Sequence, residues 1–244
     1  MADKKINTTP SIATPENHDE LVIARARGFW EQYNKPIIYI GSILILLVGG
    51  LLIYQNLVKK PKEDKANDVV FYVQKSFQTF TIAPDSLKNV VALSCLNGDG
   101  STNIGALKLI SKYDGTDAAN LCRFYAGACY LHMKQFDKSI KYLKEFNTSA
   151  TQIKSRAFGM IGDAYSELKK NDDALEYYKK ASDVNLKDDY TSSEFLFKAA
   201  LFAETIGKKK DAVDLYKQIK DKYPLTQRGT EVDKYLARLG ELND

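Results

Sequence analysis

The chain has almost none of the residues from which reactive sites are built. Its 244 residues include two histidines, His18 and His132, and three cysteines, Cys95, Cys122 and Cys129. No C-x-x-C pair occurs, and the histidines lie on opposite sides of the longest apolar stretch, so a metal site or a His-based catalytic group has nothing to form from. Cys122 and Cys129 stand seven apart on one predicted helix, too far to bridge. At most, Cys95 pairs with one of them; the simpler reading makes all three small buried apolar residues. An excess of one charge is also missing. Lys and Arg number 35 against 31 Asp and Glu, a net +4 with no clustered basic face, which excludes a nucleic-acid footprint. There is no G-x-S-x-G, P-loop or Gly-rich dinucleotide turn. The acids Asp172–Asp173 and Asp188–Asp189 fall in predicted turns and read as solvated caps. The Asn/Asp/Gly-rich stretch at 95–105 lacks the order of a calcium loop and has no closing Glu, so it reads as a plain loop. Neither an enzyme nor a bound cofactor is expected.

One stretch lacks charge altogether. From Pro36 to Val58, between Lys35 and Lys59, the chain is almost pure Ile, Leu, Val and Gly. About 20 apolar residues cross a bilayer core, so residues 36–58 predict a single transmembrane helix. Pro36 suits a first helical turn, and Tyr39 and Tyr54 suit the headgroup level at the two ends. The run starts after residue 35 and no A-x-A-like site follows, which makes it a retained anchor rather than a cleaved signal. Gly41, Ser42, Gly49 and Gly50 would let another helix approach closely within the bilayer. Residues 1–19 are polar and predict a disordered tail. Residues 20–35 mix Leu21, Ile23, Phe29, Trp30 and Tyr33 with Arg25, Arg27 and Lys35, the pattern of a juxtamembrane amphipathic helix, with a plain linker as the alternative. Arg25, Arg27 and Lys35 on one side face Lys59, Lys60, Lys62 and Lys65 on the other. That count decides no orientation and leans towards a cytoplasmic C-terminal domain.

Beyond the anchor, roughly 185 residues remain, enough for one domain with its own core. Residues 59–119 supply N-terminal helices, among them 64–80 with Val69, Val70, Val73, Phe77 and Phe80 inward. Segments IGALKLISKYD and DAANLCRF suggest a degenerate hairpin. From 120 to 225 the chain repeats three times. Aligned Ser139, Ala174 and Ala212 stand 35 and 38 residues apart, close to the 34-residue tetratricopeptide period. Gly127, Gly162 and Ala200 are small enough to let paired helices meet, while Tyr130, Tyr165, Tyr178 and Tyr216 fill the space between neighbours. Residues 226–244, with Val232, Tyr235, Leu236 and Leu239, predict a capping helix. The expected fold is therefore all-α: one transmembrane helix, then a tetratricopeptide-like α-solenoid of antiparallel hairpins.

Such stacks bind peptides on a concave face lined by the first helix of each pair. The register directs Leu121, Phe124, Leu131 and His132 of the first copy to that face. From the second it selects Arg156, Asp163 and Glu167, and from the third Glu194, Phe197, Leu201 and Glu204. The Lys/Asn carboxylate clamp of co-chaperone repeats is absent, its places being held by Phe124, Ala128 and Glu194. A face of this kind suits apolar peptide segments or a partner domain, unless the N-terminal helices pack over it.

The segment ARARGFWEQYNKPIIYIGSILILLVGGLLIYQN, with Gly50 and Tyr54 in a Gly-x-x-x-Tyr spacing, precedes a small repeat domain. Together they resemble the bacterial YfgM-like ancillary subunits of the SecYEG translocon over most of residues 20–244. The resemblance implies an inner-membrane protein with a cytoplasmic N-terminus and a periplasmic repeat domain. It also implies three partners: SecYEG translocon subunits, a membrane-anchored PpiD-like periplasmic chaperone, and unfolded exported polypeptides. The chain departs from that family in its longer tail before Glu20, its Gly/Asp loop at 97–105 and its three cysteines. A scaffold for envelope assembly or cell division and a cytoplasmic-facing adaptor are the competing readings.

Overall fold

The computed structural model describes residues 15–241, with side chains from residue 22 onward, and these residues form helices without a strand. They divide into two compact units, Met1–Lys59 and Lys60–Asp244.

The first unit holds α1 (Pro15–Tyr54), followed by a π-helical turn, Gln55–Lys59. Two separate helices were expected at 20–35 and 36–58; they are one. Pro36 lies inside α1 rather than in its first turn. Its missing N–H leaves the Gln32 carbonyl without its helical donor, a cost a single long helix tolerates at one position. Helix α1 also takes in residues 15–19 of the expected tail, whose remaining residues, 1–14, lie outside the described part. From Val22 onward the large apolar side chains of α1 are exposed, Ile45 and Leu46 by more than 70%. A helix this long and apolar can cross a membrane.

The second unit is a stack of helices. Helix α2 (Lys60–Ile82) and α3 (Asp85–Asn97) form a hairpin, a short α4 (Ala106–Lys112) follows, and α5 (Asp117–His132) packs against all three. The inward face of α2 is as expected, with Val70, Val73 and Phe80 buried and Val69 and Phe77 partly so. Of the two segments expected to add a hairpin, IGALKLISKYD holds α4 and DAANLCRF opens α5, and the two helices pack on each other. Helix α5 starts where three donors are satisfied at once. The Thr116 hydroxyl accepts from Ala119 N, and the Glu63 carboxylate of α2 accepts from Asp117 N at 2.9 Å and Ala118 N at 3.3 Å. A carboxylate on the free N–H groups of a helix start complements its dipole. The loop 98–105 is knitted rather than open. Buried Asn103 donates to Ser76 Oγ at 2.8 Å and Ser94 O, and accepts from Gly105 N. Gly98 and Gly105 both have positive φ, and a Cβ on either would lie within 2.4 Å of backbone. Only glycine closes this loop.

Helix α5 pairs with α6 (Phe136–Glu145), α7 (Thr151–Glu167) with α8 (Asn171–Asp183), and α9 (Asp189–Thr205) with α10 (Lys209–Lys222); α11 (Gln227–Arg238) closes the stack. Each first helix ends in the same way. Gln135 N donates to Tyr130 O, Lys170 N to Tyr165 O and Lys208 N to Ala203 O, all at 2.8–2.9 Å. Lys134, Lys169 and Gly207 take the left-handed conformation just before them, the Schellman closure. Gly127 and Gly162 are close-approach points, as expected. A Cβ at Gly127 would sit 2.4 Å from Leu143, and one at Gly162 would sit 2.6 Å from the Tyr178 ring. Tyr130, Tyr165, Tyr178 and Tyr216 are all buried between neighbours.

Candidate functional site

The first helices of the repeats line two joined clefts. One, of about 250 Å³, lies between the starts of α7 and α9, bounded by Gln152, Arg156, Tyr190, Thr191, Glu194 and Phe195. The other, of about 330 Å³, runs on to α11 through Glu194, Phe195, Phe197, Lys198, Leu201 and Arg228. A third, of about 630 Å³, lies between the starts of α5 and α7, where Leu121 and Ile153 face Asn147, Thr148 and Ser149. Its rim is held by an amide pairing: Asn120 Nδ2 donates to Asn147 O, and Asn120 Oδ1 accepts from Asn147 N.

The expected concave-face residues fall into three overlapping groups, with Glu194 and Phe197 each in two. Leu121, Arg156, Glu194, Phe197 and Leu201 line the clefts, and Glu167 stands exposed near the end of α7. Arg156 is exposed and makes no ion pair among the described residues. A second group is covered. Phe124 is buried, with Phe77 of α2 at 6.2 Å and Phe146 at 5.3 Å. The His132 ring lies 5.6 Å from Phe80 of α2, and Leu131 packs against the repeat core. Phe197 shows only its edge to the cleft: the Arg228 guanidinium sits 4.3 Å over its ring and Tyr235 packs from the other direction. The α2–α3 hairpin thus covers part of the first repeat.

The third group is charged and already paired. Asp163 accepts from Tyr178 Oη at 2.7 Å and from Lys198 Nζ at 2.6 Å. Arg228 grips the Glu194 carboxylate with two bonds, 2.9 and 3.0 Å, and Arg238 reaches Glu204 at 2.7 Å, where Tyr216 Oη also donates. The partners lie 35, 34 and 34 residues apart. Each bond therefore links equivalent levels of successive repeats. These acids tie the stack together, and their lone pairs are largely committed. Burial, with Asp163 second, pushes the Tyr178 hydroxyl upward in pKa; burial followed by Glu204 does the same for Tyr216.

The joined clefts also hold Gln152, Tyr190, Thr191, Phe195, Lys198 and Arg228, which the register did not select. Phe195 lies at the level of Ala157 in the preceding copy, a buried position. Its ring instead rests across the repeat boundary on Gly159, where a Cβ would meet it at 2.4 Å. Arg228 was hidden in the capping segment, although a basic residue one repeat length after Glu194 was a legible signal.

The three cysteines are free thiols and fully buried together. Burial pushes the Cys122 thiol up to about 12. A hydrogen bond with Cys95, then burial, pushes Cys129 upward as well. These are packing groups, not nucleophiles. Among the described residues no cluster of His, Cys, Asp or Glu could hold a metal ion.

Residues 155–188 and 194–226 each match a family model described as a tetratricopeptide repeat. No curated protein matches the chain. The two matched segments hold most of α7–α8 and α9–α10, the hairpins whose first helices line the joined clefts. The class follows from fold and surface together: a helical-repeat module for contact with other proteins, preceded by one helix able to span a membrane.

Proposed function

We propose that the chain is a membrane-anchored protein-binding subunit whose joined clefts on α7, α9 and α11 receive an extended segment of a partner. The observation that carries this reading is the composition of those clefts. Phe195, Leu201 and Tyr190 offer apolar contact, Arg156 adds a cation without an ion-pair partner among the described residues, and neighbouring acids are held in place by the stack. That combination favours an apolar segment bearing an acidic group. The finer reading makes the chain an accessory subunit of the Sec export translocon, docking a PpiD-like periplasmic chaperone or newly exported chains. It rests on the resemblance of residues 20–244 to YfgM-like subunits and on an uncovered apolar helix with small residues at Gly41, Ser42, Gly49 and Gly50. A Cβ at Gly41, Gly49 or Gly50 would meet nothing within 4 Å, which leaves those positions open to a lateral helix.

The test follows a C-terminal tag in spheroplasts of a bacterial host, together with purification in mild detergent. External protease should remove the domain while the cytoplasm stays sealed, and translocon or chaperone subunits should co-purify. Arg156→Glu with Tyr190→Ala, both exposed cleft residues, should weaken that recovery about tenfold without lowering the melting temperature. A tag that survives until the membrane is broken refutes the export reading. It leaves a cytoplasmic-facing adaptor, the reading that Lys59, Lys60, Lys62 and Lys65 favour. A domain outside the membrane with no translocon partner leaves a scaffold for envelope assembly or cell division.

A further inference from the structure

The two ends of the stack are finished differently. Helix α11 closes the C-terminal end with Gln227, Thr230, Asp233, Lys234 and Arg238 exposed, as a solenoid end in water requires. The N-terminal end, formed by the α2–α3 hairpin, is apolar outside as well as inside. Helix α3 buries Ala92, Cys95 and Leu96, yet its opposite side presents Leu87 at 55%, Val90 at 65% and Leu93 at 45% exposure. Ile82, across the turn from Leu87, is 84% exposed, and Phe71 on α2 is 60% exposed with its ring 5.6 Å from that of Tyr72. The side chains between them on α3 are Ser86, Asn89 and Asn97, polar but uncharged. The charged residues of α3 are one of each sign, Asp85, whose side chain is almost fully exposed, and Lys88. Lys88 Nζ lies 3.9 Å from Asp85 and 5.8 Å from the centre of the Phe80 ring.

We propose that this face is the contact between two copies of the chain, with α3 packed antiparallel against its own symmetry mate and Val90 at the two-fold axis. Three features select a second copy. First, the stripe is symmetric about its middle. With Leu87, Val90 and Leu93 spaced by three residues, antiparallel packing sets Leu87 against Leu93 of the other copy and Val90 against itself. An isologous contact needs this self-complementarity. Second, the stripe is neutral, so two copies meet without like-charge repulsion. Anionic lipid headgroups would instead call for Lys and Arg in the stripe, whereas the exposed residues beside Leu87, Val90 and Leu93 on α3 are Ser86 and Asn89. Third, the size fits. The exposed apolar side chains of the hairpin offer roughly 600 Å², and a standard interface takes about 800 Å² from each partner, the remainder being a polar rim. An anchored chain is also confined to a plane, which raises the effective concentration of one copy near another. The contact is independent of the clefts on α7, α9 and α11.

The full-length chain in mild detergent, followed by light scattering and thiol crosslinking, tests this. The native thiols are buried, so a cysteine at Val90→Cys is the reactive one. Under mild oxidation it should give a covalent dimer, because facing Cβ atoms at the axis fall within disulfide reach. Lys210→Cys, exposed on the distant α10, should not. Val90→Asp and Leu93→Asp should each raise the dimer dissociation constant about 100-fold or more, since each change acts twice in the interface. Both positions are exposed, so the circular dichroism spectrum should be unchanged, and each variant should melt as the native chain does when diluted to its monomer. A chain that is monomeric at every concentration overturns the proposal. So does a dimer that persists in Val90→Asp, which would lie elsewhere, for example along the glycines of α1. Quenching of a Val90→Cys fluorophore by lipid-borne nitroxide in nanodiscs would assign the face to the bilayer and overturn it too. In cells, a Val90→Cys adduct with a different protein, with no self-adduct, would do the same.

Discussion

Gly162→Ala sets two opposed effects against each other on one atom. Gly162 is buried in the middle of α7, where alanine would gain about 1 kcal/mol of helix propensity. The added methyl, however, would lie 2.6 Å from two ring carbons of Tyr178. That ring cannot swing aside easily: it is 3% exposed, its hydroxyl is bonded to Asp163 at 2.7 Å, and Phe202 packs edge-on at 5.4 Å. Overpacking a locked site costs about 3 kcal/mol, the upper part of the usual range. The net expectation is a loss of about 2 kcal/mol, or roughly 4–8 °C in Tm for a domain of this size. A second background makes the test sharp. With Tyr178→Ala the obstructing ring is gone, and Gly162→Ala should then stabilise by about 1 kcal/mol. Thermal melts of the four chains supply the cycle. If Gly162→Ala raises Tm in the native background, or its sign is the same in both, close helix approach is not why this position is small.

Two further outcomes follow from the packing. The Cys122 thiol and the Tyr125 hydroxyl, both pushed up to about 12 by burial, hold their protons more tightly in the folded chain than in the unfolded one. The stability this carries is complete below the unfolded values, 9.0 for the thiol and 10.0 for the phenol, and is lost as pH rises through 12. Urea midpoints should therefore fall steadily above about pH 9, and a flat profile to pH 11 would refute the burial of these groups. Arg228→Ala should release α11 from α9 by removing the two-bond grip on Glu194 and the guanidinium over Phe197. The site is partly solvated, so the loss should be about 1–2 kcal/mol. Arg228→Lys, without the planar fork, should recover less than half. Hydrogen exchange should quicken in α11 and leave α5–α6 unchanged.

Helix pairs and their order were legible because they depend on local, periodic properties. A small residue at 127, 162 or 200, and a tyrosine where neighbours meet, recur at the spacing of one hairpin, so the pattern repeats wherever the geometry does. The candidate site was less legible. Register predicts the direction in which a side chain leaves its helix, but not what arrives from another part of the chain. Phe124 and His132 leave α5 in the expected direction and meet Phe77 and Phe80, some fifty residues earlier in the sequence. Asp163, Glu194 and Glu204 likewise leave towards the groove and are taken by cations one repeat later. Pro36 is a different case. A local rule places proline at a helix start, while the long apolar run on both sides keeps the helix continuous through it.

By itself, then, the amino-acid sequence determined the all-helical class, the single apolar run long enough for a bilayer, and the three hairpins with small residues at 127, 162 and 200. Each follows from residues within a turn, or within one repeat, of one another. Only the tertiary structure decided which groove residues remain available, that the three thiols gather in one core, and that the N-terminal hairpin is apolar on both sides. Those properties are set by contacts between distant segments, where the identity of the neighbour rather than the spacing of the pattern determines whether a side chain meets protein or solvent.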